Sequence, residues 1–459
     1  MFTSLRLKNF KSFGDIYFDF RKSKNEAKKF IAVYGENGSG KSNFVDGFEF
    51  LSKSISSLTL SNHDFYKQIK GVSTQPIIKL NLNLFSNFVN SFEIDTFIDE
   101  CRMIGTDENT EAEYEFILNG VEGRYRIVFN NEIINEELFF LVGKKRGTVY
   151  SISKDETGVK KVINDSVFTD KKFRDDFNEE LDKYWGKHTF LGILASIIYT
   201  QNLHYVTSKV SSHIIDIVYY FDKLHVVNSN GDSSHASYLT KDKQYQLSDL
   251  SGGILPIKSR DKLDFCEKLL CEYFTQFYSD VHNVYYKKTE TEKGIRYRLF
   301  FQKQIAGELR DIPFEFESTG TKKVMKIMEA LFAAMNGNIV VYDEIDSGVH
   351  DMLMENLIGS VLEYIQCQLI ITTHNTMLLE SVDPKIIYVI YVDYKGNKRA
   401  SCIDDYDIRI QKNNNVRDMY LKGLFGGIPY SGNIDCSNIY GILNEKKEKY
   451  IPDEEAPEN

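Results

Sequence analysis

The chain has 459 residues, of which 42% are hydrophobic and 27% charged, the composition of a folded globular protein with room for two or three domains. A net charge of −10 argues against a protein whose main task is to coat nucleic acid. The longest apolar run, residues 191–199, is far too short to span a bilayer. The first residues enter strand-like sequence without a signal-peptide pattern, so we predict a cytoplasmic protein that does not contact the membrane.

The cysteines and the basic segments give weaker indications. Six cysteines are scattered without a CxxC pair or a histidine cluster, so we expect free thiols and no zinc site. Three basic segments are candidates for a nucleic-acid groove, and the alternative for each is a solvated loop or hairpin face. They are residues 21–29, residues 144–146, and residues 287–303 with Tyr285, Tyr286, Tyr297 and Phe300.

The N-terminal third reads mainly as β-strands. Residues 5–10 and 15–20 alternate around a turn at 12–14, and residues 30–34 form a continuous apolar strand. Residues 77–85 alternate strongly, and residues 113–118, 123–129 and 133–141 predict an antiparallel meander. We assign residues 1–165 to an N-terminal lobe.

The middle of the chain changes to helical periodicity. Phe173, Phe177, Leu181 and Trp185 recur at four-residue spacing, and residues 190–199, 210–221 and 263–277 also predict helices. Residues 227–255 are polar and predict a loop, and no heptad pattern is sustained, so no coiled-coil arm is expected. We interpret residues 166–280 as a helical insertion.

Strands return in the C-terminal part. Residues 281–286 and 295–301 predict strands, and a helix is expected from about 318 to 335. The apolar runs 339–343 and 368–372, separated by a helical segment, predict parallel strands of an α/β sheet. We assign residues 281–430 to a C-terminal lobe and residues 431–459 to a partly disordered tail.

A glycine-rich turn follows directly behind the apolar strand 30–34. Its sequence, GENGSGKS over residues 35–42, matches the phosphate-loop pattern GxxxxGK[ST] and is followed by helix-like sequence. In this pattern backbone N–H groups surround phosphate oxygens, Lys41 reaches the β- and γ-phosphates, and the Ser42 hydroxyl binds Mg²⁺. We therefore predict that ATP contacts Gly35, Glu36, Asn37, Gly38, Ser39, Gly40, Lys41, Ser42 and Asn43.

The apolar strand 339–342 ends in an acidic pair, Asp343 and Glu344. Parallel strands deliver such side chains to the edge of the sheet where ligands bind. We predict that Asp343 holds Mg²⁺ opposite Ser42 and that Glu344 polarises the attacking water. The alternative is a pair of acidic residues that only caps the next helix.

Two further elements complete the pattern. His374 follows the apolar strand 368–372, where it can contact the γ-phosphate and position water, although a lone histidine is often structural. Ser318, Gly320 and Thr321 open a helix whose N-terminus can accept an anion, while simple N-capping by Ser318 is the alternative.

In this order, the motifs resemble the ABC-type ATPase heads of the SMC and RecF kind. Residues 343–350 (DEIDSGVH) resemble their Walker B motif and D-loop, residues 318–321 (STGT) stand in the place of the signature, and His374 in that of the switch histidine. The signature is shorter than Leu-Ser-Gly-Gly-Gln, His350 replaces a usual D-loop Asp, and the Q-loop is not placed, with Gln75 and Gln201 as candidates.

A narrower resemblance is to RecF-like AAA-family ATPases of bacterial anti-phage systems, such as AriA of PARIS or PtuA of Septu. It is carried by residues 7–13 (LKNFKSF), 317–323 (ESTGTKK) and 419–429 (MYLKGLFGGIP) and covers roughly residues 1–150 and 310–430. The resemblance implies an α/β ABC-ATPase head with a helical insertion, and adenine recognition near residues 9–13.

The resemblance also implies a shared active site, in which Ser318 and Gly320 of a second protomer complete the γ-phosphate site. It further implies a homo-oligomer that hydrolyses ATP with Mg²⁺. By analogy alone, this oligomer would sense a phage-encoded trigger and regulate a separate effector such as a nuclease. The alternatives are a RecF-like DNA-repair ATPase that binds DNA, an oligomer with ATP as a static cofactor, and a transporter ATPase.

Overall fold

The computed structural model describes residues 1–62, 94–231, 249–292, 294–406, 415–428 and 435–448. The predicted strand at 77–85, the Q-loop candidate Gln75, most of the predicted loop at 227–255 and the end of the C-terminal tail lie outside the described residues. No described helix is both long and apolar enough to cross a membrane.

The strands and helices are numbered in chain order. The strands are β1 (Phe2–Phe10), β2 (Phe13–Asp19), β3 (Arg21–Ser23), β4 (Glu26–Ala27), β5 (Phe30–Gly35), β6 (Thr110–Leu118), β7 (Val121–Phe129), β8 (Ile133–Val142), β9 (Lys145–Asp155), β10 (Gly158–Ile163), β11 (Leu224–Val227), β12 (Gly252–Leu255), β13 (Val281–Thr291), β14 (Gly294–Ile305), β15 (Glu308–Pro313), β16 (Ile339–Tyr342), β17 (Gln368–Thr372), β18 (Ile387–Val392) and β19 (Lys398–Cys402). The helices are α1 (Lys41–Asn62), α2 (Ile94–Cys101), α3 (Lys171–Tyr184), α4 (Phe190–Thr200), α5 (Leu203–Lys209), α6 (Ser212–Asp222), α7 (Arg260–Phe277), α8 (Thr319–Met335), α9 (Asp351–Val361), α10 (Leu378–Ser381), α11 (Val416–Leu421) and α12 (Ser437–Glu448).

A six-stranded mixed sheet forms the centre of the molecule. Its strand order is β11-β16-β17-β5-β18-β19, and every neighbouring pair is parallel except β18 and β19. The side chains of β5, β16 and β17 are buried throughout, because helices and the other sheets cover both faces. Since the three strands are parallel, their carboxyl ends meet at one edge, and there the phosphate loop and the acidic pair lie.

Alternate residues of the central strands face two separate cores. Ile31, Ile370 and Val341 face a core shared with α1, helices α3 to α6, and a seven-stranded antiparallel sheet of order β10-β9-β8-β7-β6-β1-β2. On the other face, Ala32 and Ile371 belong to a core shared with α7, α8, α9 and the sheet of β12 to β15. Helix α1 therefore lies between the central sheet and the antiparallel sheet.

The predicted α/β class is confirmed, with a phosphate loop on a mixed sheet, an antiparallel β unit and a helical segment, the arrangement of an ABC-type ATPase head. The meander continues through β9 and β10, beyond its predicted end. Residues 166–280 contribute helices and also the short strand β11, which pairs with β16 at the edge of the central sheet. This strand joins the segment to the nucleotide sheet, and the proposed domain boundaries stay predictions.

Candidate nucleotide-binding site

The phosphate loop connects the end of β5 to the start of α1, and two of its glycines cannot carry a side chain. A Cβ on Gly35 would lie 2.4 Å from the Ser39 Oγ, and a Cβ on Gly40 would lie 2.5 Å from the Phe13 ring. Gly40 also has a φ of 110°, which side chains rarely permit. The loop is therefore a tight backbone turn that excludes side chains at two positions, as phosphate-binding loops do.

Lys41 opens α1, and its side chain is buried within the loop. Its Nζ donates hydrogen bonds to the carbonyl oxygens of Gly35 at 2.8 Å and Glu36 at 3.1 Å. Burial lowers the pKa of Lys41, and the carboxylates that follow β16 oppose this effect. An ammonium in this position, held by neutral acceptors, is well placed to exchange a carbonyl for a phosphate oxygen.

Ser39 has a buried hydroxyl without a partner. Its Oγ makes no hydrogen bond within the described part of the chain, although its side chain is fully buried. An unsatisfied buried hydroxyl is costly, so a polar group bound in the loop would stabilise it. The backbone turn, Lys41 and this hydroxyl together fit a nucleoside polyphosphate.

Thr372 ties the two predicted acidic residues together. Its Oγ1 donates to the Asp343 Oδ1 at 2.6 Å and accepts the backbone N–H of Glu344 at 2.7 Å. Asp343 is 6% exposed, and Glu344 has a φ of 48°, a left-handed conformation that only a few per cent of non-glycine residues adopt. The strand β17 thus fixes the Asp343 carboxylate and the Glu344 backbone at the sheet edge. Ser42 is exposed at the start of α1. A carboxylate and a hydroxyl are ligands that suit Mg²⁺.

His374 follows Thr372, and its backbone is held by the same acidic loop. Its N–H donates to the Asp346 carboxylate at 3.1 Å. Desolvation and the charge of Lys41 lower the pKa of His374, while Asp346, Glu344 and Asp343 oppose the shift. The imidazole is therefore expected to be neutral at pH 7. Because β17 pairs with β5, His374 follows the strand next to the one that leads into the phosphate loop. We call Asp343, Glu344, Asp346, Thr372 and His374 the acidic edge.

The predicted signature lies at the exposed start of α8, and we call residues 318–321 the signature start. Ser318 caps the helix: its Oγ accepts the backbone N–H of Thr321 at 3.0 Å. A Cβ on Gly320 would lie 3.5 Å from the Gly348 carbonyl, so the signature start packs beside the loop that follows the acidic edge. The capping that was predicted as an alternative is thus present, while the side chain of Ser318 remains exposed.

Three other residues that the sequence analysis singled out make contacts elsewhere in the structure. His350, which departs from the D-loop pattern, caps α9 by accepting the Met352 N–H at 3.3 Å on its Nδ1. Gln201 ends α4 and lines a cleft with Phe173 and Tyr205, in the helical segment. The side chain of Asn9 donates to Glu108 at 2.9 Å.

The aromatic residues of the basic segment 287–303 divide between the two faces of its sheet. Tyr286 and Tyr297 are buried in the core, while Tyr285 stacks on Phe300 on the other face. The cations on that outer face are partly paired with carboxylates, for example Arg298 with Glu315 at 2.9 Å. Carboxylates therefore neutralise part of the positive charge on this face.

The structure adds a contact at the base of the phosphate loop that the sequence did not indicate. Gly427 packs so closely that a Cβ would lie 2.3 Å from Val389 and 3.3 Å from the Gly35 Cα. The Tyr420 hydroxyl donates to the Gly427 carbonyl at 2.9 Å, and its ring meets the Tyr34 ring edge-on. The glycine-rich stretch after α11 therefore supports the base of the loop. It belongs to residues 419–429, which carry the family resemblance, but that resemblance did not indicate the contact.

Comparison with known proteins identifies the family. Residues 30–380 match the family described as "AAA domain, putative AbiEii toxin, Type IV TA system". No curated protein matches this chain.

Solved structures with a similar fold include an SMC head domain from Thermotoga maritima, with 15% identity, a TM-score of 0.36, and coverage of 87% of this chain and 98% of that one. An Smc head bound to the C-winged helix domain of ScpA has 15% identity, a TM-score of 0.43 and coverage of 87% and 97%. An Smc head domain with an extended coiled coil, bound to the C-terminal domain of ScpA derived from Pyrococcus furiosus, has 14% identity, a TM-score of 0.38 and coverage of 87% and 95%. Because the family match spans more than half of the chain, the protein belongs to this AAA family and is an ATPase.

Proposed function

We propose that this protein is a cytoplasmic, Mg²⁺-dependent ATPase whose active site is completed by a second copy of the chain, and that it regulates a separate effector. The proposal rests on the observation that the candidate site consists of two parts, the acidic edge and the signature start. The acidic edge is held together by hydrogen bonds within the chain, whereas the signature start presents exposed Ser318 at a helix N-terminus. A helix N-terminus attracts anions, so it can complete the γ-phosphate site of another protomer.

Within one protomer, the roles follow from position. The backbone of residues 35–43 and the Lys41 ammonium bind the phosphates, and Ser42 with Asp343 would hold Mg²⁺, which neutralises phosphate charge when bound. Glu344 is the proposed base that orients the attacking water, and neutral His374 contacts the γ-phosphate. Thr372 keeps Asp343 and Glu344 in their relative positions through its two hydrogen bonds.

The effector role rests on family analogy. The family description names a toxin of a type IV toxin–antitoxin system, that is, one component of a two-component system. We propose that the partner is an effector, such as a nuclease, of a PARIS- or Septu-like anti-phage system. ATP-dependent assembly would hold the effector, and a phage-encoded trigger would release it.

The central test is the Glu344→Gln variant with and without ATP. Because glutamine keeps the shape but cannot act as a base, hydrolysis should fall about 100-fold or more. Light scattering should then show a stable dimer that forms only with ATP. Lys41→Ala is the matched control, and it should neither bind ATP nor dimerise. Hydrolysis by Glu344→Gln at the unmutated rate would refute the assigned role.

The partner is tested by co-purification. The tagged protein is expressed with the product of its neighbouring gene, and capture is compared for the unmutated chain, Glu344→Gln and Lys41→Ala. Capture that changes with the ATP-bound state supports the effector role. Salt-sensitive, ATP-dependent binding of DNA by the chain alone, without a captured partner, would instead support a DNA-repair ATPase.

A further inference from the structure

A second lysine reaches the phosphate loop from the opposite side to the acidic edge. Lys398 begins β19, whose partner β18 runs beside β5 in the central sheet. Its Nζ donates to the Gly38 carbonyl at 2.7 Å and to the Ser12 Oγ at 2.6 Å. The Asn43 Nδ2 donates to the same Ser12 hydroxyl at 2.5 Å. Lys398 is therefore bound into the outer side of the loop, and is not a freely solvated surface lysine.

The charge of Lys398 has no counterion in the described part of the chain. Both of its hydrogen-bond acceptors there are neutral, and no described carboxylate lies within ion-pair distance. The side chain is half-buried, and burial lowers the pKa of Lys398. The described contacts of this ammonium are a carbonyl, a hydroxyl and the Phe13 ring, whose centroid lies 5.8 Å away, and all three are neutral. An anion that comes within contact distance would therefore stabilise it.

The surroundings of Lys398 point to one region of the nucleotide. The acidic edge follows β16 and β17, on one side of β5 in the central sheet, so the γ-phosphate and Mg²⁺ are proposed to lie at that end of the loop. Lys398 lies at the other end, together with Ser12, Asn43 and the Phe13 ring that packs on Gly40. An anion held there belongs to the part of the phosphate chain that ATP and ADP share.

We propose that Lys398 is a second phosphate-binding cation, which contacts the α- or β-phosphate of the nucleotide and secures ATP and ADP alike. The proposal rests on nucleotide binding by the phosphate loop, as proposed above. It assigns a nucleotide-binding residue from a segment more than 350 residues away from the loop in the sequence. On binding, the ammonium would exchange a neutral acceptor for a phosphate oxygen, which is a charge-assisted hydrogen bond.

The test is the Lys398→Gln variant, since glutamine can still donate to the Gly38 carbonyl but carries no charge. Calorimetric titration with ADP and with ATP should show both affinities weakened by a similar factor, about 10- to 100-fold. Lys398→Arg should retain most of the affinity. Lys395→Gln is the matched control, because Lys395 is exposed in the turn of the same hairpin, and it should bind both nucleotides normally.

Three results would overturn the assignment. Unchanged affinity of Lys398→Gln for both nucleotides would exclude the contact, and a loss for ATP alone would move it to the γ-phosphate. A nucleotide-free melting temperature lowered in Lys398→Gln and Lys398→Arg alike, with equal loss of binding in both, would show a structural role instead. Lys41→Ala separates the hypotheses: if it also binds ADP normally, the proposed nucleotide site itself is wrong.

Discussion

The acidic edge and the signature start lie on neighbouring elements of one chain, yet their polar groups are satisfied in different ways. At the acidic edge, one hydroxyl of Thr372 serves both Asp343 and Glu344, and Asp346 holds the backbone of His374. At the signature start, Ser318 is exposed and its hydroxyl bonds only locally, to Thr321, among the described residues. The first arrangement is complete in a single chain, and the second presents an anion-binding helix end outward.

This difference has a physical meaning for assembly. A carboxylate pair that orients water must be fixed before the reaction, because misplacement lowers the rate steeply. A helix N-terminus that contacts the γ-phosphate only across an interface makes the interface depend on ATP, since hydrolysis removes the shared anion. Under the proposal, the chain positions its own carboxylates, and a second copy supplies the contact that makes assembly depend on ATP.

The largest expected effect comes from blocking the signature start with a bulky side chain. Ser318→Arg places a bulky cation at the exposed helix end, so ATP-dependent dimerisation should be abolished and hydrolysis should fall about 100-fold or more. ATP binding by the monomer should be unchanged, which calorimetry can show. Ser259→Arg, at the serine that precedes α7, is the control and should dimerise normally. Normal dimerisation of Ser318→Arg would mean that the signature start does not face a partner.

A second experiment removes the Thr372 hydroxyl, which forms hydrogen bonds with Asp343 and Glu344 in the acidic edge. Thr372→Val keeps the shape of the side chain but loses both hydrogen bonds, so Asp343 and Glu344 should be less well placed. Because misplacement of a catalytic group lowers the reaction rate steeply, hydrolysis should fall about 10- to 100-fold. ATP binding and ATP-dependent dimerisation should persist. Thr372→Ser keeps the hydroxyl and should retain most of the activity. Equal rates in the valine and serine variants would contradict the role of the hydroxyl.

The pH profile tests the state of His374. Desolvation and Lys41 lower the pKa of His374, so the imidazole is neutral at pH 7 and gains its proton only in more acidic solution. If the neutral form is the active one, the rate should be level near pH 7 and fall on acidification below the usual histidine range. His374→Gln should be slower and should lose this acidic limb. If the rate of the variant falls at acidic pH as it does in the unmutated protein, another titrating group causes the fall.

The smallest expected effect separates the two roles of Ser318. Loss of its helix cap in Ser318→Ala should lower the free energy of unfolding by about 1 kcal/mol, and Ser318→Gly by only a few tenths. Urea denaturation of the nucleotide-free protein measures both. If the free energy of unfolding of Ser318→Arg falls by a similarly small amount, its loss of dimerisation does not arise from unfolding. A loss of several kcal/mol in Ser318→Ala would show that the cap itself is essential to the fold.

The sequence allowed prediction of those parts of the site that are local in the chain. The phosphate loop follows a continuous apolar strand, and the start of α8 follows a capping serine, so each is visible within about ten residues. The contact of Lys398 with Gly38 joins residues 360 positions apart, and that of Gly427 with the loop is similarly distant. Hydrophobic periodicity reports only local structure, so it could indicate neither contact.

The sequence did not predict the short strand β11, because this strand too is recognised only by a contact that is distant in the chain. Its four residues follow α6 closely and continue the apolar helical pattern, so only its pairing with β16 reveals a strand. Thr372 is a different case, because the sequence placed it correctly at the end of β17. Its two hydrogen bonds join it to residues of the loop after β16, and nothing in the sequence predicts those bonds or the left-handed backbone of Glu344.

The most direct test of the central claim mixes two inactive proteins. Lys41→Ala lacks a working phosphate loop, and Ser318→Arg lacks a working signature start, so neither should hydrolyse ATP alone. If the site is shared, an equimolar mixture forms mixed dimers with one intact site each, and activity should return to at most about half of the unmutated value, because neither variant dimerises with itself. If the mixture remains as inactive as its components, the active site is not completed by a second copy and the account is wrong.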